Sequence, residues 1–253
     1  MPTTVWEGKT AFGEYQIIDT LYDGRPARVL YSDNRLAAQA GVPTDGKREL
    51  LFDYNQRLFE LVTNLLPARV LLIGGSVCTL PMALLRVLPN IRIDVVEPDA
   101  ELFELARQYF DLPQDERLQC FATDGRSYLR QVSERYDMIL VDVYDGVNIP
   151  HDMRTLQAIH ALKAHLHSGG IVAQNIISGL TGRSAGQLRE IYAGFLQVFD
   201  EVDIFLASRG YSLQLPQNFI LTAQQTPARR LQDYMRYEAV APPEVNPNEA
   251  SSD

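Results

Sequence analysis

Residues 70–99 read VLLIGGSVCTLPMALLRVLPNIRIDVVEPD, and this stretch decides the fold. The apolar run at 70–73 is typical of a buried parallel strand, and two glycines follow it directly. A helix is expected over 79–88, and a second buried strand over 91–96 ends at an acid, Glu97. Strand, glycine turn, helix and strand in this order predict a βαβ unit of a parallel sheet.

The alternation of strand and helix continues along the chain. Further apolar strands are predicted at 118–122, 138–141 and 171–177, with helical segments between them. Two more strands, 202–206 and 219–222, have no helix between them, and strands joined without a crossover pair antiparallel. We therefore predict an α/β fold of the class I methyltransferase-like type: a doubly wound sheet with a C-terminal antiparallel hairpin.

The two ends of the chain differ from this central part. Short β-rich runs with turn residues between them predict a small N-terminal antiparallel β meander. A helix is expected over 48–66, and the tail is rich in Pro, Asn and Ser with little to bury, which predicts disorder. The expected parts are a β domain at 1–48, a nucleoside-binding domain at 49–240 and a disordered tail at 241–253.

Composition and charge limit the function classes. The formal net charge is −9, which argues against a nucleic-acid surface and suits a polycationic small molecule. No stretch approaches the roughly 20 apolar residues of a membrane helix, and the first residues lack the pattern of a secretory signal. Cys78 and Cys120 form no close-spaced pair. We expect a cytoplasmic protein without a metal site, a membrane contact or a nucleic-acid partner.

Three predicted strand ends carry residues suited to a nucleoside. Gly74 and Gly75 would let the backbone approach a ligand closely. Glu97, about 20 residues later, could accept both hydroxyls of a ribose. Asp124, followed by Gly125, could accept from an adenine amino group or cap the next helix. Since the carboxyl ends of parallel strands share one edge of the sheet, the pattern predicts a nucleoside site there.

Two aspartates, Asp142 and Asp145, follow the fourth strand of the predicted sheet. Carboxylates at this edge can bind an ammonium group and take the proton of an amine about to attack. The loop at 146–152 is predicted to act as a lid over the site. We interpret His151 in this loop as a surface or capping residue, not as a base.

Over residues 13–223 the chain resembles the spermidine synthases and related polyamine aminopropyltransferases. The resemblance implies transfer of an aminopropyl group from decarboxylated S-adenosylmethionine to a polyamine acceptor, with release of methylthioadenosine, in a homodimer. It is carried by EYQ (14–16), RVLY (28–31), LIGG (72–75), TL (79–80), VEPD (96–99), DGR (124–126), YD (136–137), Asp142 with Asp145, and GG (169–170).

The resemblance also implies a role for each matching residue. Gln16 would contact the nucleoside cofactor, Glu97 its ribose and Asp124 its adenine. Asp142 would be the base that receives the amine's proton, and Asp145 would anchor the amine. The family's Tyr-x-Glu substrate motif is represented by FDY at 52–54, so Tyr54, or Asp53, would contact the substrate.

Two other functions remain open. The family's glycine motif, GGGDGGTL, carries an aspartate that would repel the carboxylate of intact S-adenosylmethionine. Residues 74–80 (GGSVCTL) contain no acid, which favours a methyltransferase that uses intact S-adenosylmethionine. A nucleoside-binding protein without catalysis, acting through partners, is the third possibility. The β meander and the paired aspartates favour aminopropyl transfer, which is our prediction.

Overall fold

The computed structural model describes residues 1–32, 37–47, 49–146, 148–208, 211–225, 231 and 239–251. Within these residues the chain forms a four-stranded antiparallel sheet and a seven-stranded mixed sheet with helices on both faces. None of the described helices is long and apolar enough to cross a membrane.

The N-terminal sheet is the predicted meander, with strand order β1-β2-β3-β4. The turn at Asp23 and Gly24 joins β2 to β3, and both residues have positive φ angles (49° and 74°), as an Asp-Gly hairpin turn requires. The outer two strands were not predicted. The sequence of β4 (AAQAGVP) is rich in Ala and Gly, which are poor strand formers, whereas β1 (TTVWEGK) contains good strand formers that the prediction missed. The strands are β1 (Thr3–Lys9), β2 (Glu14–Tyr22), β3 (Arg25–Ser32) and β4 (Ala37–Pro43).

The central sheet has the order β10-β11-β9-β8-β5-β6-β7. Neighbouring strands from β7 to β9 run parallel, and β11 pairs antiparallel with both β9 and β10. The methyltransferase-like fold and its C-terminal hairpin are thus confirmed. The strands are β5 (Arg69–Ile73), β6 (Arg92–Val96), β7 (Leu118–Phe121), β8 (Tyr136–Val141), β9 (Leu166–Ser178), β10 (Glu201–Leu206) and β11 (Gln217–Gln224).

The strand order reverses between β5 and β8. From β5 the chain moves outward on one side to β6 and β7, then returns to place β8 on the other side of β5. Such a switch point opens a crevice at the carboxyl ends of the two strands, where ligands of open α/β sheets bind.

Two apolar cores lie on the two faces of the central sheet. One is shared by the helices α1, α2 and α3 and includes Ile17 and Leu30 of the N-terminal sheet. The other lies beneath α4, α5 and α6. The helices are α1 (Asp53–Leu65), α2 (Thr79–Val87), α3 (Ala100–Tyr109), α4 (Gly125–Gln131), α5 (Leu156–Ala164) and α6 (Gly186–Val198).

The first helix is shorter than the predicted span of 48–66. It begins at Asp53, whose charge suits the positive end of the helix dipole. It ends at Leu66, which adopts a left-handed conformation (φ 54°, ψ 50°) just before Pro67. A residue that precedes proline avoids the right-handed helical region, so the helix stops there.

The tail is predicted to begin at residue 241, and the described residues on both sides of that boundary, 239–251, contact the α/β part. The backbone of Val240 donates to Ile204 O of β10 (2.8 Å), and Ser251 O accepts from Leu156 N at the start of α5 (3.2 Å). Val240 and Val245 are partly buried against the second core. These few apolar side chains give the segment a surface on which to pack.

Candidate active site

A cavity of about 880 Å³ opens at the carboxyl edge of the central sheet, at the switch point. Its walls come from both sheets, from the start of α1 and from the loop after β8. Most of the predicted site residues line it. These are Asp53, Tyr54, Gly74, Gly75, Glu97, Asp124, Gly125 and Asp142.

The glycine turn after β5 is packed tightly against the end of β8. Gly74 has a φ of 91°, and a Cβ atom there would lie 2.0 Å from the carbonyl oxygen of Asp142. A Cβ atom on Gly75 would lie 2.2 Å from Cγ1 of Val95. Both positions therefore require glycine, because only glycine lets the neighbouring strands approach so closely.

Glu97 is buried at the end of β6, beside the glycine turn. Its Oε2 accepts from the backbone N–H of Ser76 (2.9 Å), and its Oε1 accepts from that of Asp99 (3.2 Å). Burial raises the pKa of Glu97, and these two backbone donors oppose the rise. Each oxygen keeps a further lone pair, so the carboxylate can still accept from two neighbouring hydroxyl groups.

Asp124 both lines the cavity and caps α4. Its Oδ1 accepts from the backbone N–H of Ser127 (2.7 Å). Burial alone would raise the pKa of Asp124, but hydrogen bonds from Ser127 outweigh this and lower it. The next residue must be glycine, because a Cβ atom on Gly125 would lie 2.5 Å from Cγ2 of Ile73. Asp124 can therefore cap α4 and still contact a ligand in the cavity, so the two predicted roles are compatible.

Asp142 lies on the cavity floor, directly after β8. Burial raises the pKa of its carboxyl group to about 6, although hydrogen bonds from Asn175 and Tyr54 oppose the rise. Asn175 Nδ2 donates to Asp142 Oδ1 at 2.9 Å. The pKa of Tyr54 is raised by burial and by the Asp142 charge, so its hydroxyl keeps its proton and donates. A carboxylate with a pKa near 6 can accept a proton at neutral pH.

Two predicted site residues do not line the cavity. Side chains alternate along β2, and because Tyr15 and Ile17 face the core, Gln16 points to the other face of the sheet. Tyr15, not Gln16, lines the cavity. Asp145 is exposed, and its backbone pairs with that of Asn148. Neither residue is among those that line the cavity, so the structure adds no support to the roles predicted for Gln16 and Asp145.

The loop expected to be a lid borders the cavity through Gly146, Pro150 and Asp152. Val147 lies outside the described residues. The loop is attached to the body, since the N–H of Ile149 donates to Gln187 Oε1 (3.1 Å). His151 is exposed, with Nε2 3.0 Å from Ser251 Oγ.

Several lining residues were not identified from the sequence. Tyr22, Asp23 and Gln39 come from the N-terminal sheet, and only the tertiary fold brings them to the cavity. Tyr144 comes from the loop after β8, and Asn175 comes from β9. An asparagine inside the apolar run at 171–177 was a signal that could have been read, since buried amides have partners.

The described lining residues give the cavity a negative field. Six are acidic, and none of the described ones is Lys, Arg or His. A cleft lined by one sign of charge attracts ligands of the opposite sign. The six are Asp23, Asp53, Glu97, Asp124, Asp142 and Asp152.

The doubly wound sheet, its glycine turn and its antiparallel hairpin place the chain among the methyltransferase-like α/β proteins. A family model described as "Spermine/spermidine synthase domain" matches residues 52–183. The chain therefore belongs to the spermine/spermidine synthase domain family.

Comparisons with individual proteins agree with this assignment. A polyamine aminopropyltransferase of Vibrio vulnificus is 29% identical over 135 residues, 52% of this chain and 45% of the relative. A probable spermidine synthase of Corynebacterium glutamicum superposes with a TM-score of 0.77 at 20% identity, covering 90% of this chain and 84% of the other. A spermidine synthase in complex with the transition state analogue AdoDATO gives a TM-score of 0.66 at 18% identity, covering 88% and 72%.

The sequence matches are partial. For three of the curated relatives, the aligned segment covers 23%, 45% and 55% of the relative's own length. The chain thus spans about half or less of these proteins. The structural neighbours, at these identities, establish the fold.

Proposed function

We propose that this protein transfers an aminopropyl group from decarboxylated S-adenosylmethionine to a primary amine of a polyamine. The observation that carries the proposal is Asp142, a proton acceptor with a pKa of about 6 on the floor of a cavity lined by acids. Both substrates are cations, which this negative field attracts. The family of the chain and the ligand of its AdoDATO-bound neighbour point to the same chemistry.

The donor would lie across the carboxyl ends of β5, β6 and β7. Its ribose hydroxyls would donate to Glu97, which the backbone of Ser76 and Asp99 holds in place. The backbone at Gly74 and Gly75 would contact the donor directly, and Asp124 would accept from the adenine amino group. The sulfonium group would then face Asp142 across the switch point.

The reaction would be a direct displacement at carbon. The acceptor nitrogen forms a bond to the carbon beside the sulfonium, and the carbon–sulfur bond breaks to release neutral methylthioadenosine. Asp142 takes the proton lost by the amine. Since the leaving group departs uncharged, it needs no acid, and proximity with proton removal carries the catalysis.

The acceptor would extend from Asp142 towards the N-terminal sheet. Burial is the largest cause of the raised pKa of Tyr22, and the charges of Asp23 and Asp53 raise this pKa further. Both acids therefore lie near the phenol. A second ammonium group of a diamine would lie near this pair. We therefore expect Asp53→Asn to raise KM for the diamine, and the matched Asp145→Asn change to leave it nearly unaltered.

The assay that tests the proposal measures methylthioadenosine. Wild-type protein is incubated with decarboxylated S-adenosylmethionine and either putrescine or a longer polyamine, with intact S-adenosylmethionine as the control donor. Release of methylthioadenosine that depends on the amine supports the proposal. No release with any amine contradicts it, and release of S-adenosylhomocysteine from the control donor would indicate a methyltransferase.

We also propose that the protein works in the cytoplasm as a homodimer, with the N-terminal sheet and the α/β part as separate domains. The family supports the cytoplasmic location and the homodimer. The composition of the chain supports the division into two domains. Light scattering at micromolar concentration would give twice the chain mass for a dimer.

A further inference from the structure

Asn175 is a buried amide on the cavity wall, near the carboxyl end of β9. The residue is 1% exposed, and its Nδ2 donates to Asp142 Oδ1 at 2.9 Å. Its Oδ1 is also buried and has no hydrogen-bond partner. Buried polar atoms almost always have a partner, so an unpaired oxygen in a cavity wall indicates a bound ligand or water.

The carboxylate of Asp142 decides which end of the amide faces it. An ionised carboxylate only accepts hydrogen bonds, so the donor end of Asn175, Nδ2, must lie against it. A flipped amide would place two acceptor oxygens face to face. The Oδ1 of Asn175 is therefore the end that remains available beside the proton acceptor.

The backbone around Asn175 is held by Tyr144. The hydroxyl of Tyr144 donates to Asn175 O (2.9 Å) and accepts from Ile177 N–H (2.9 Å). This pair of bonds fixes β9 at the cavity without the Asn175 side chain. The side-chain amide of Asn175 is therefore not needed to hold β9 in place, and it is available to contact groups in the cavity.

The two hydrogen-bond acceptors that lie side by side, the Asp142 carboxylate and Asn175 Oδ1, match the N–H groups of an attacking amine. A primary amine that attacks carbon with its lone pair still bears two N–H groups. One can donate to Asp142, which later takes that proton, and the other needs a second acceptor. A secondary amine has only one N–H at this stage, so it would leave one buried acceptor unpaired.

We propose, resting on the function proposed above, that Asn175 orients the Asp142 carboxylate and that its Oδ1 receives the second N–H of the attacking nitrogen. The acceptor is then restricted to primary amines. Asn175 acts on the proton acceptor as a positioning residue and on the substrate as a specificity residue.

The first test measures the titration of Asp142. The groups that face its carboxylate are Tyr54 of α1, Tyr144 of the loop after β8 and Asn175 of β9. Burial and the Asp142 charge raise the pKa of both phenols, so they stay neutral. Loss of the Asn175 donor should therefore raise the pKa of Asp142 above its value of about 6.

The variants for this titration are Asn175→Leu, which removes both amide atoms, and Asn175→Gln, which keeps an amide group and adds no charge. The matched control is Gln174→Leu. Gln174 is also 1% exposed, neither of its amide atoms has a partner, and it points to the opposite face of the sheet. NMR titration of isotope-labelled aspartate carboxyls needs no turnover. An upward shift in Asn175→Leu that is smaller in Asn175→Gln and absent from the control supports the positioning role, and unchanged titration in Asn175→Leu overturns it.

The second test compares putrescine with its symmetric N,N′-dimethyl derivative. In the wild type, kcat/KM should be lower for the dimethylated amine. Asn175→Leu should lower kcat/KM for both amines, because both lose the oriented carboxylate, and should lower it roughly 10-fold further for putrescine, which also loses a hydrogen bond in the reaction. An unchanged ratio between the two amines overturns the specificity role.

Failure of the proposed function is distinguishable from failure of this inference. If the wild type transfers nothing to any amine, the function is wrong. The titration of Asp142 needs no turnover, so in that case it tests the inference by itself. An unchanged Asp142 titration in Asn175→Leu then counts against the inference.

Discussion

At the scale of single residues, burial sets the chemistry of the carboxyl group of Asp142. Desolvation disfavours the charged form, and the two neutral donors beside it, Tyr54 and Asn175, offset only part of this effect. The resulting pKa of about 6 leaves the group ionised at neutral pH but basic enough to take a proton. An ordinary surface aspartate would be a weaker base.

The Asp142→Asn change separates proton transfer from binding. Asparagine keeps the shape but cannot take a proton, so turnover should fall on the order of 10²–10⁴-fold while methylthioadenosine binding is nearly retained. In the wild type, kcat/KM should fall as pH drops through about 6, because Asp142 becomes protonated. Steady-state rates against pH check both results, and a variant that keeps full activity would remove Asp142 from the mechanism.

Glu97 carries the second prediction at this scale. Glu97→Ala should weaken methylthioadenosine binding by about 1.5–3 kcal/mol, the range for hydrogen bonds to a charged group. Glu104→Ala is the control, since Glu104 is exposed on α3 and pairs with Arg107. Isothermal calorimetry gives both affinities, and equal affinities in the two variants would place Glu97 outside the nucleoside site.

The accuracy of the sequence-based prediction depends on where a residue lies. Glu97 and Asp142 stand at strand ends, so the strand pattern alone brings them to one edge. Gln16 lies within a strand, where a shift of one residue reverses the face, and Asp145 lies in the loop after β8, whose path the strand pattern does not predict. Tyr22 and Asp23 reach the cavity only through packing between the sheets.

At the scale of elements, the apolar runs of the central sheet were predictable because each strand is buried on both faces. The strand β4 was not, since its Ala- and Gly-rich composition is weakly β-forming and pairing with β3 holds it in place. The Thr, Val and Trp residues of β1 were a signal that the prediction missed. Composition reports what a segment can bury by itself and not which surface lies ready to receive it.

The loop at 146–152 provides the prediction at this scale. It borders the cavity beside Asp142 and contains glycine, so we expect it to open and close over bound ligand. Limited proteolysis should cleave this loop more slowly when methylthioadenosine is saturating. Cleavage at an exposed site elsewhere should keep its rate. Equal cleavage of the loop with and without the nucleoside would mean that it is not a lid.

At the scale of the whole molecule, the two sheets are joined by one core. Ile17 and Leu30 of the N-terminal sheet pack in the same cluster as Leu58 of α1 and the apolar side chains of α2. A contact of this kind couples the stability of the two parts, whatever their separate roles at the cavity.

We therefore expect the chain to unfold in one cooperative transition. Calorimetry should give equal calorimetric and van't Hoff enthalpies, as a two-state transition requires. Saturation with methylthioadenosine should move that single transition to higher temperature, because a ligand that binds only the native state stabilises it. Two resolved transitions would instead mean that residues 1–48 and 49–240 fold as independent domains.

The contact between Gly74 and the carbonyl of Asp142 has a practical consequence for anyone who would redesign this protein. The backbone that receives the donor and the backbone that carries the proton acceptor touch, with room for no added atom. Mutagenesis aimed at a new donor should therefore leave Gly74 fixed and vary residues that border the cavity from the helices, such as Thr79 of α2 and Leu102 of α3. Diversity introduced there can change what is bound without displacing the group that does the chemistry.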